Sequence, residues 1–246
     1  MYKRQEQWLS ASGVLGFFPA QSVGADDILL DTGAGELRLC HLRQQRTKRE
    51  DQAQWCLADY VAPAGSGVRD HLGAFAVTAG KGIDEHVERF ERRHDDYSAI
   101  LLKALADRLA EAMAEYFHKR VRKELWAYAS DEDLSNSELI AEAYSGIRPA
   151  PGYPACPDHT EKGKLWNLLD VERRIGLRLT DSFAMFPTAA VSGFYFAHPE
   201  SRYFSVGKID RDQVVSYAQR KGMSVAEVER WLAPNLGYEP GHANAA

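Results

Sequence analysis

The segment from Arg148 to Lys162, RPAPGYPACPDHTEK, constrains the fold of this chain more than any other stretch. Its prolines have a fixed φ and no backbone donor, so they exclude both a helix and a central strand. A glycine, a tyrosine, a cysteine and a histidine stand among them. Because loops fixed on a rigid scaffold supply most ligand-binding groups, this loop is the first candidate for a small-molecule site.

Composition indicates a soluble cytoplasmic protein. At 246 residues the chain can bury a sizeable core, as one large domain or two small ones. The 30 Lys and Arg against 35 Asp and Glu give a net charge of -5, so no nucleic-acid partner is expected. Three widely spaced cysteines favour reduced thiols over a disulfide framework. No apolar run approaches about 18 residues and no signal peptide is visible, so no membrane partner is expected either.

The first third of the chain is predicted to be largely β. The apolar run Val14–Ala20 is predicted as a short strand that follows a helix capped by Gly13. The segment from Asp26 to Arg43 has the alternating pattern of a hairpin, with its turn at Gly33–Gly35. A further strand is predicted for His71–Thr78.

The longest predicted element is a helix from Asp95 to Trp126. Its apolar side chains recur in steps of four, which predicts one buried stripe. A short helix is predicted to begin at the capping-box pair Ser135 and Glu138 and to end at Gly146. The side chains assigned to the buried stripe are Tyr97, Leu101, Leu105, Leu109, Met113, Phe117 and Val121.

The rest of the pattern completes an α+β fold. A helix is predicted for Glu161–Ile175, strands for Phe183–Ala197 and Tyr203–Ile209, and helices from Arg211 and from Ser224. Helices and strands do not alternate strictly. A mostly antiparallel sheet flanked by helices, with one long central helix, is therefore favoured over a doubly wound fold.

Two motifs that suggest chemistry are better explained as structure. The sequence DTGAGE at residues 31–36 resembles a nucleotide-binding glycine loop, but period-two alternation follows it and the third glycine is missing, which favours a hairpin turn. Cys156 and His159 have a metal-like spacing, yet no second close pair accompanies them. We predict no metal site and expect Asp158 and His159 to begin the following helix.

Charged and aromatic residues near the loop are candidates for ligand contacts. Arg148 lies outside any predicted helix, where its guanidinium can bind a carboxylate through two hydrogen bonds. Glu111 borders the predicted stripe, although a salt bridge is the simpler explanation for it. Glu142 lies on the last turn of the helix before the loop, where a solvated helix face is the simpler explanation. Tyr153 and Tyr203 offer rings with hydroxyl groups, but an aromatic is more often a core residue.

A resemblance to a known family begins at these residues. IRPAPGYPACPDHTEK closely resembles the signature of the activation domain of cobalamin-dependent methionine synthase. HDDYSAILLKALADRLAEAMAEYFHKRVRKELW, SFAMFPTAAVSGFYFAHPESRYFSVGKI and RKGMSVAEVERWLAPNLGY are also similar to it, as are GVLGFFPA, HLRQQ and CLADYVAP. The resemblance extends from about Leu9 to Glu239. We expect a single, N-terminally shortened domain over residues 1–240 and a disordered tail over 241–246.

The resemblance implies a ligand and the residues that hold it. In this family the domain binds S-adenosylmethionine and presents its methyl group to a cobalamin on a neighbouring domain. Carried over to this chain, Arg148 holds the ligand carboxylate, while Glu111 and Glu142 face its ammonium and sulfonium side. The other implied contacts are Pro149, Ala150, Gly152, Tyr153, Tyr203 and Phe204.

The implied function is reactivation of methionine synthase. Oxidation leaves the cofactor as inert cob(II)alamin, and its reduction by a flavodoxin-like donor is thermodynamically unfavourable. Methyl transfer from S-adenosylmethionine consumes the reduced cobalamin and so makes the overall reduction favourable. The cobalt is the nucleophile, so no catalytic side chain is expected and the chain contributes proximity and orientation. The homocysteine, folate and cobalamin modules are absent from this sequence, so the chain alone is not expected to make methionine.

Two other functions remain open at this point. The family domain begins with a further N-terminal segment that carries an acidic ligand contact, and this chain starts after it. A non-catalytic interaction domain of the same fold, with weak or no ligand binding, is therefore the alternative. An independent small-molecule methyltransferase is disfavoured, because the glycine loop that it would need fails the pattern test.

Overall fold

The chain forms a main sheet, a small second sheet and helices around them, as a computed structural model describes them for residues 8–46 and 52–241. The strands are β1 Ser12–Val23, β2 Asp27–Asp31, β3 Glu36–Cys40, β4 Asp70–Thr78, β5 Arg178–Leu179, β6 Met185–Phe186 and β7 Ala190–Tyr195. The main sheet is antiparallel with the order β3-β2-β1-β4-β7, and β5 pairs with β6. The helices are α1 Asp84–Glu91, α2 Asp96–Arg120, α3 Asn136–Ile140, α4 Glu161–Leu169, α5 Val171–Ile175, α6 Arg211–Lys221 and α7 Val225–Trp231.

This architecture confirms the predicted α+β class, with an antiparallel sheet and one long helix. The long helix α2 continues into a π-helical turn at Val121–Leu125, close to the predicted end. Asp95 caps the start of α2, since its carboxylate accepts a hydrogen bond from the amide of Ser98 at 3.1 Å. The predicted strand at His71–Thr78 and the helices from Arg211 and from Ser224 are present as well.

The glycine motif forms the predicted hairpin turn. Leu30 of β2 pairs with Leu37 of β3, and the amide of Thr32 donates to the carbonyl of Gly35 at 2.9 Å. Gly33 has a φ of 75°, which is the left-handed conformation that such tight turns require. Because the motif leads into a strand and not into a helix, it lacks the helix N-terminus on which a nucleotide-binding loop depends.

The predicted helix cap at Gly13 is wrong. Gly13 lies inside β1, which runs for 12 residues. A Cβ on Gly13 would lie 2.7 Å from the ring of Phe117 and 2.8 Å from Val77, so the strand needs glycine for close packing. The residues that a preceding helix would have occupied lie partly outside the described residues, as does most of the predicted tail, over 242–246.

Contacts divide the described chain into two compact units. We name them the α2 unit and the loop unit, after the long helix and the proline-rich loop. The α2 unit comprises the described residues up to Gly16 with Ala74–Tyr144 and Leu165–Tyr195. The loop unit comprises Phe17–Gly73, Ser145–Lys164 and the described residues from Phe196 onward.

In the α2 unit, the buried face of α2 differs from the predicted stripe. Tyr97 is 76% exposed and Leu101 is 40% exposed, although both were assigned to the core. Small side chains occupy most of the buried face, which allows the helix backbone to lie close to its neighbours. The fully buried positions of α2 are Ala99, Leu102, Ala106, Ala110, Ala114 and His118.

In the loop unit, the core lies around α6 and α7. Tyr217 of α6 is buried there, and its hydroxyl donates to the carbonyl of Cys40 at 3.3 Å and to the carboxylate of Asp158 at 2.8 Å. Because the hydroxyl of Tyr217 has hydrogen-bond partners, its burial does not leave an unsatisfied polar group in the core. The buried members of this core are Cys40, Leu42, Val206, Ile209, Val214, Tyr217, Ala218, Val228, Leu232 and Leu236.

Four predicted elements differ from the structure. The helix predicted for Glu161–Ile175 is broken at Asp170, which has a φ of 51°. The segment Tyr203–Ile209 forms no strand, and within Phe183–Ala197 only β6 and β7 are strands. The short helix α3 ends at Ile140, well before Gly146.

Candidate functional site

The proline-rich segment is an irregular loop, as predicted, and hydrogen bonds between its own backbone groups stabilise it. The amide of Gly152 donates to the carbonyl of Cys156 at 2.7 Å, and the amide of Cys156 donates to the carbonyl of Tyr153 at 2.9 Å. The amide of Tyr153 donates in turn to the carbonyl of Ala150 at 3.2 Å. These bonds satisfy the backbone groups that the prolines leave without a regular ladder, so the turn is fixed in one shape.

The beginning of the loop is held by residues from the same unit. Ile147 exchanges two backbone hydrogen bonds with Phe196, at 3.1 and 3.0 Å. Further along, the carbonyl of Pro154 accepts a hydrogen bond from the amide of Val206 at 2.8 Å. The segment after Phe196 therefore lies beside the loop along much of its length.

The predicted contacts Arg148 and Tyr203 lie side by side. The amide of Arg148 donates to the hydroxyl of Tyr203 at 3.0 Å, and the ring of Tyr203 remains 43% exposed. Tyr153 is 65% exposed, so two aromatic faces are available to a ligand in this unit. Phe204 is half-buried and packs edge-on against Tyr60, with ring centroids 6.5 Å apart. The other predicted loop contacts are the buried Pro149 and the half-buried Ala150 and Gly152.

The end of the loop is anchored by a buried cluster of charges. The ammonium of Lys221 on α6 lies 2.5 Å from the carboxylate of Asp158 and 2.7 Å from that of Glu161. It also donates to the hydroxyl of Thr160. All three charged side chains are almost fully buried, so each depends on its partners to offset the lost hydration.

The pKa values of Asp158 and Lys221 are both shifted so that the charged forms are favoured. Burial alone would raise the pKa of Asp158, but Lys221 and the hydrogen bonds from Thr160 outweigh it and the pKa lies below its ordinary value. Burial likewise opposes the charge on Lys221, yet Glu161 and Asp158 raise its pKa. The cluster is thus an ion pair at neutral pH, formed by residues 60 positions apart along the chain.

His159 packs directly on the turn of the loop. A Cβ on Gly152 would lie 2.3 Å from Cε1 of the His159 ring, and Gly152 has a φ of 92°. Nδ1 of His159 is 2.9 Å from the ammonium of Lys162, which is buried. His159 therefore belongs to the packing of the loop. The amide of Thr160 donates to the carboxylate of Asp158 at 2.8 Å, which places the predicted capping interaction on Asp158.

Cys156 is a poor nucleophile and a poor metal ligand in this environment. Burial, reinforced by Glu161 and Asp158, raises the pKa of its thiol well above the ordinary value. Over the residues that the structure describes, no three His, Cys, Asp or Glu side chains form a group that could hold a metal ion.

Glu111 and Glu142 belong to the α2 unit. Glu111 is exposed on α2 and makes no ion pair within the part of the chain that the structure describes, so the simple salt-bridge explanation does not apply to it. Glu142 is exposed too, but it lies beyond the end of α3 and not on its last turn as predicted. Its φ is 54°, a left-handed conformation that is unusual for glutamate.

The anchoring residues of the loop were not predicted. Lys221, Tyr217 and Lys162 have no local sequence signal, because a lysine or tyrosine on a helix is normally solvated or part of a core. A charged residue on the apolar side of a short helix was the only available hint, since Lys221 follows Tyr217 by four positions and shares its face.

Comparison with known proteins shows the family of this chain. A rigid loop with an arginine and an exposed tyrosine, next to a second exposed tyrosine, has the features of a candidate small-ligand site. The family model for the activation domain of vitamin B12-dependent methionine synthase matches residues 1–222, and the chain belongs to this family. It is also similar to a solved structure described as the MetH reactivation domain bound to AdoHcy, with 58% identity and a TM-score of 0.92. That match covers 97% of this chain and 74% of the other.

The chain is thus an activation domain of the cobalamin-dependent methionine synthase family. Membership in this family implies a partner domain that binds cobalamin. Within the described residues, no helix is both long and apolar enough to cross a membrane.

Proposed function

We propose that this chain binds S-adenosylmethionine and orients its methyl group for transfer to a cobalamin held by a partner domain. The observation that carries the proposal is the fixed loop from Arg148 to Asp158, with its arginine, its exposed Tyr153 and the neighbouring Tyr203, in a chain that is 58% identical to a domain described as bound to AdoHcy. AdoHcy is S-adenosylmethionine without the methyl group, so the two share the amino-acid and adenosine parts that a loop would recognise.

Each proposed contact has a chemical reason. The ligand has a carboxylate at one end, which a guanidinium such as that of Arg148 binds through two charge-assisted hydrogen bonds. Its ammonium and sulfonium groups are cations, for which Glu111 and Glu142 are exposed carboxylates. Pro149, Ala150 and Gly152 offer a fixed backbone with carbonyl acceptors, and Tyr153, Tyr203 and Phe204 offer rings.

Cobalamin, when its partner domain presents it, supplies the nucleophile that accepts the methyl group. The chain itself then needs only to bind the donor in one orientation and to leave its methyl group accessible. The fixed backbone around Gly152 fits this role, since a rigid loop loses little entropy when it orders a ligand. No general acid or base is required in such a step, and we assign no catalytic residue.

We place this activity inside a complete cobalamin-dependent methionine synthase, with a flavodoxin-like protein as the electron donor for reactivation. The homocysteine and folate chemistry belongs to other parts of that enzyme. All three cysteines are buried free thiols, a state that suits the reducing cytoplasm in which we place the protein.

The proposal is tested by isothermal titration calorimetry of the chain with S-adenosylmethionine and with S-adenosylhomocysteine. We expect both ligands to bind, and Arg148→Ala to weaken binding by about 100-fold, or roughly 3 kcal/mol, because the ligand carboxylate loses two charged hydrogen bonds. Arg174→Ala is the matched control, since Arg174 is an exposed arginine in the α2 unit, outside the proposed site. This variant should bind like the wild type.

Two outcomes would contradict the proposal. If a folded wild-type chain gives no heat with either ligand at high micromolar concentration, the chain is better described as a non-catalytic interaction domain of the same fold. If Arg148→Ala binds as tightly as the wild type, the ligand lies elsewhere and the assignment of the loop is wrong.

A further inference from the structure

The imidazole of His159 occupies the space beside Gly152 that any other residue's side chain would need. A Cβ on Gly152 would lie 2.3 Å from Cε1, 2.5 Å from Nδ1 and 2.9 Å from Nε2 of this ring. The φ of 92° at Gly152 also disfavours every residue except glycine. The ring edge therefore rests on the backbone of the turn that carries the proposed ligand contacts.

Lys162 fixes the orientation and the tautomer of His159. Its ammonium lies 2.9 Å from Nδ1, and an ammonium has donors but no acceptor. Nδ1 must therefore accept the hydrogen bond, which leaves the proton of the neutral ring on Nε2. Burial and the charge of Lys162 both lower the pKa of His159, while Asp158 acts in the opposite direction.

Among the described residues, the carboxylates nearest to His159 already have other partners. Lys162 faces it from α4, and Asp158 precedes it in the loop. Asp158 already accepts hydrogen bonds from Lys221 and from Tyr217, both on α6. The carboxylate of Glu161 is paired with Lys221 and with Lys164. A second positive charge 2.9 Å from Lys162 would thus be repelled, and only the charge of Asp158 offsets part of this repulsion.

We propose that His159 is a positioning residue for ligand binding: as a neutral imidazole held by Lys162, it keeps the Gly152 turn in its binding shape. Protonation of His159 breaks its hydrogen bond with Lys162, and the ring then leaves the turn. The backbone from Ala150 to Gly152 loses its support, so ligand affinity falls in acid. This inference rests on the proposed function, because it concerns how the same loop binds the same ligand.

The test is the pH dependence of the dissociation constant for S-adenosylhomocysteine, measured by calorimetry between pH 8.0 and 5.0. For the wild type we expect a constant Kd near neutral pH. Because burial and Lys162 lower the pKa of His159, the Kd should begin to rise only at a pH below the ordinary histidine value of 6.5, with a slope of at most tenfold per pH unit for a single proton. Circular dichroism at each pH checks that the chain is still folded.

Three variants separate positioning from a general structural role. His159→Gln keeps an acceptor for Lys162 but does not titrate, so its Kd should stay within about threefold of the wild type near neutral pH and should lose the acid slope. Lys162→Met removes the opposing charge, so the rise in Kd should begin at a higher pH than in the wild type. His198→Gln, a change of a half-buried histidine outside the loop, should keep the wild-type slope.

Each possible result supports or contradicts the positioning role of His159. If the Kd of the wild type does not change with pH, or if His159→Gln keeps the wild-type slope, the positioning role is overturned, but the proposed ligand binding is not. If Lys162→Met does not fold, His159→Gln alone is decisive. Absence of binding by the wild type at pH 7.5 overturns the proposed function and this inference with it.

Discussion

At Glu142 the chain places a glutamate where helices most often have a glycine. The amide of Ala143 donates to the carbonyl of Glu138 at 3.0 Å, and the amide of Glu142 donates to that of Leu139 at 3.1 Å. These two bonds form a Schellman motif, whose left-handed position is usually glycine. A glutamate there costs about 1 kcal/mol of folding free energy relative to glycine. Such strain is commonly retained where the side chain has a function, which fits the proposed contact with the ligand.

This strain predicts opposite effects of one substitution on stability and on binding. Glu142→Gly should raise the free energy of unfolding by about 1 kcal/mol and should weaken binding of S-adenosylmethionine, because a favourable charge is lost. Glu142→Gln should weaken binding to a similar degree without the gain in stability. Urea unfolding and calorimetry measure the two quantities. A glycine variant that binds as tightly as the wild type would remove Glu142 from the proposed site.

At the same scale, some site residues could be predicted from sequence and others could not. Arg148 stands out because it precedes prolines outside any helix, and the structure places it beside Tyr203. His159 suggested only a weak metal motif, because its packing on Gly152 depends on a turn that no local pattern specifies. Lys221 gave only the weak hint that it shares a helix face with Tyr217, since its partners lie about 60 positions earlier in the chain.

Among the elements, α2 shows why a regular apolar pattern can point to the wrong face. Large apolar residues recur every four positions from Tyr97, but the buried line of the helix runs through Ala106, Ala110 and Ala114. Alanine contributes little to an apolar pattern, yet it permits the closest approach of a helix to its neighbours. The existence and length of α2 were predictable from the sequence, and its buried face was not.

The segment Tyr203–Ile209 shows why a strand pattern can fail. Its residues alternate like a strand, but their hydrogen bonds go to loops and side chains. The amide of Val206 donates to Pro154, the carbonyl of Ser205 accepts from the side chain of Gln44 at 2.7 Å, and that of Gly207 accepts from Asn235 at 2.9 Å. These backbone groups are satisfied without a neighbouring strand, which sequence alternation alone cannot reveal.

The contact of α6 with the loop predicts a large loss of stability from one change. Lys221→Met should lower the free energy of unfolding by about 3–5 kcal/mol, because it leaves the buried carboxylate of Asp158 without its cation and that of Glu161 with Lys164 alone. Lys103→Met is the control: its ion pair with Glu91 is exposed, so the loss should stay below about 1 kcal/mol. Urea unfolding at pH 7 distinguishes the two, and equal losses would contradict the role of the cluster.

The same cluster predicts a dependence of stability on pH. The pKa of Asp158 is lower in the folded chain than its ordinary value, so its contribution is fully present above that ordinary value, near 3.8, and is lost as the pH falls through the lowered pKa. Lys221→Met removes the main cause of the lowered pKa. The variant should therefore lose less stability than the wild type between pH 5 and pH 3, which acid titrations followed by circular dichroism can measure. A variant with the wild-type acid profile would contradict this assignment.

For the whole molecule, the proposed ligand should act as a stabiliser by mass action. A ligand that binds only the folded chain adds about 2.7 kcal/mol to the free energy of unfolding at a concentration 100 times its Kd. S-adenosylhomocysteine should therefore raise the Tm of the wild type in a thermal melt. Arg148→Ala should show no comparable rise at the same concentration. An equal rise in both proteins would mean that the stabilisation does not depend on the loop.

The buried cysteines make the protein convenient for labelling. Burial raises the pKa of Cys40 to about 11 and that of Cys56 to about 12, and that of Cys156 lies well above its ordinary value. Maleimides react with accessible thiolates, so the native thiols should not be labelled while the chain is folded. One introduced cysteine, such as Ile140→Cys at a position that is 84% exposed, would then carry a fluorophore alone. The natural sequence thus already provides the background for single-site spectroscopy of the segment beside Glu142.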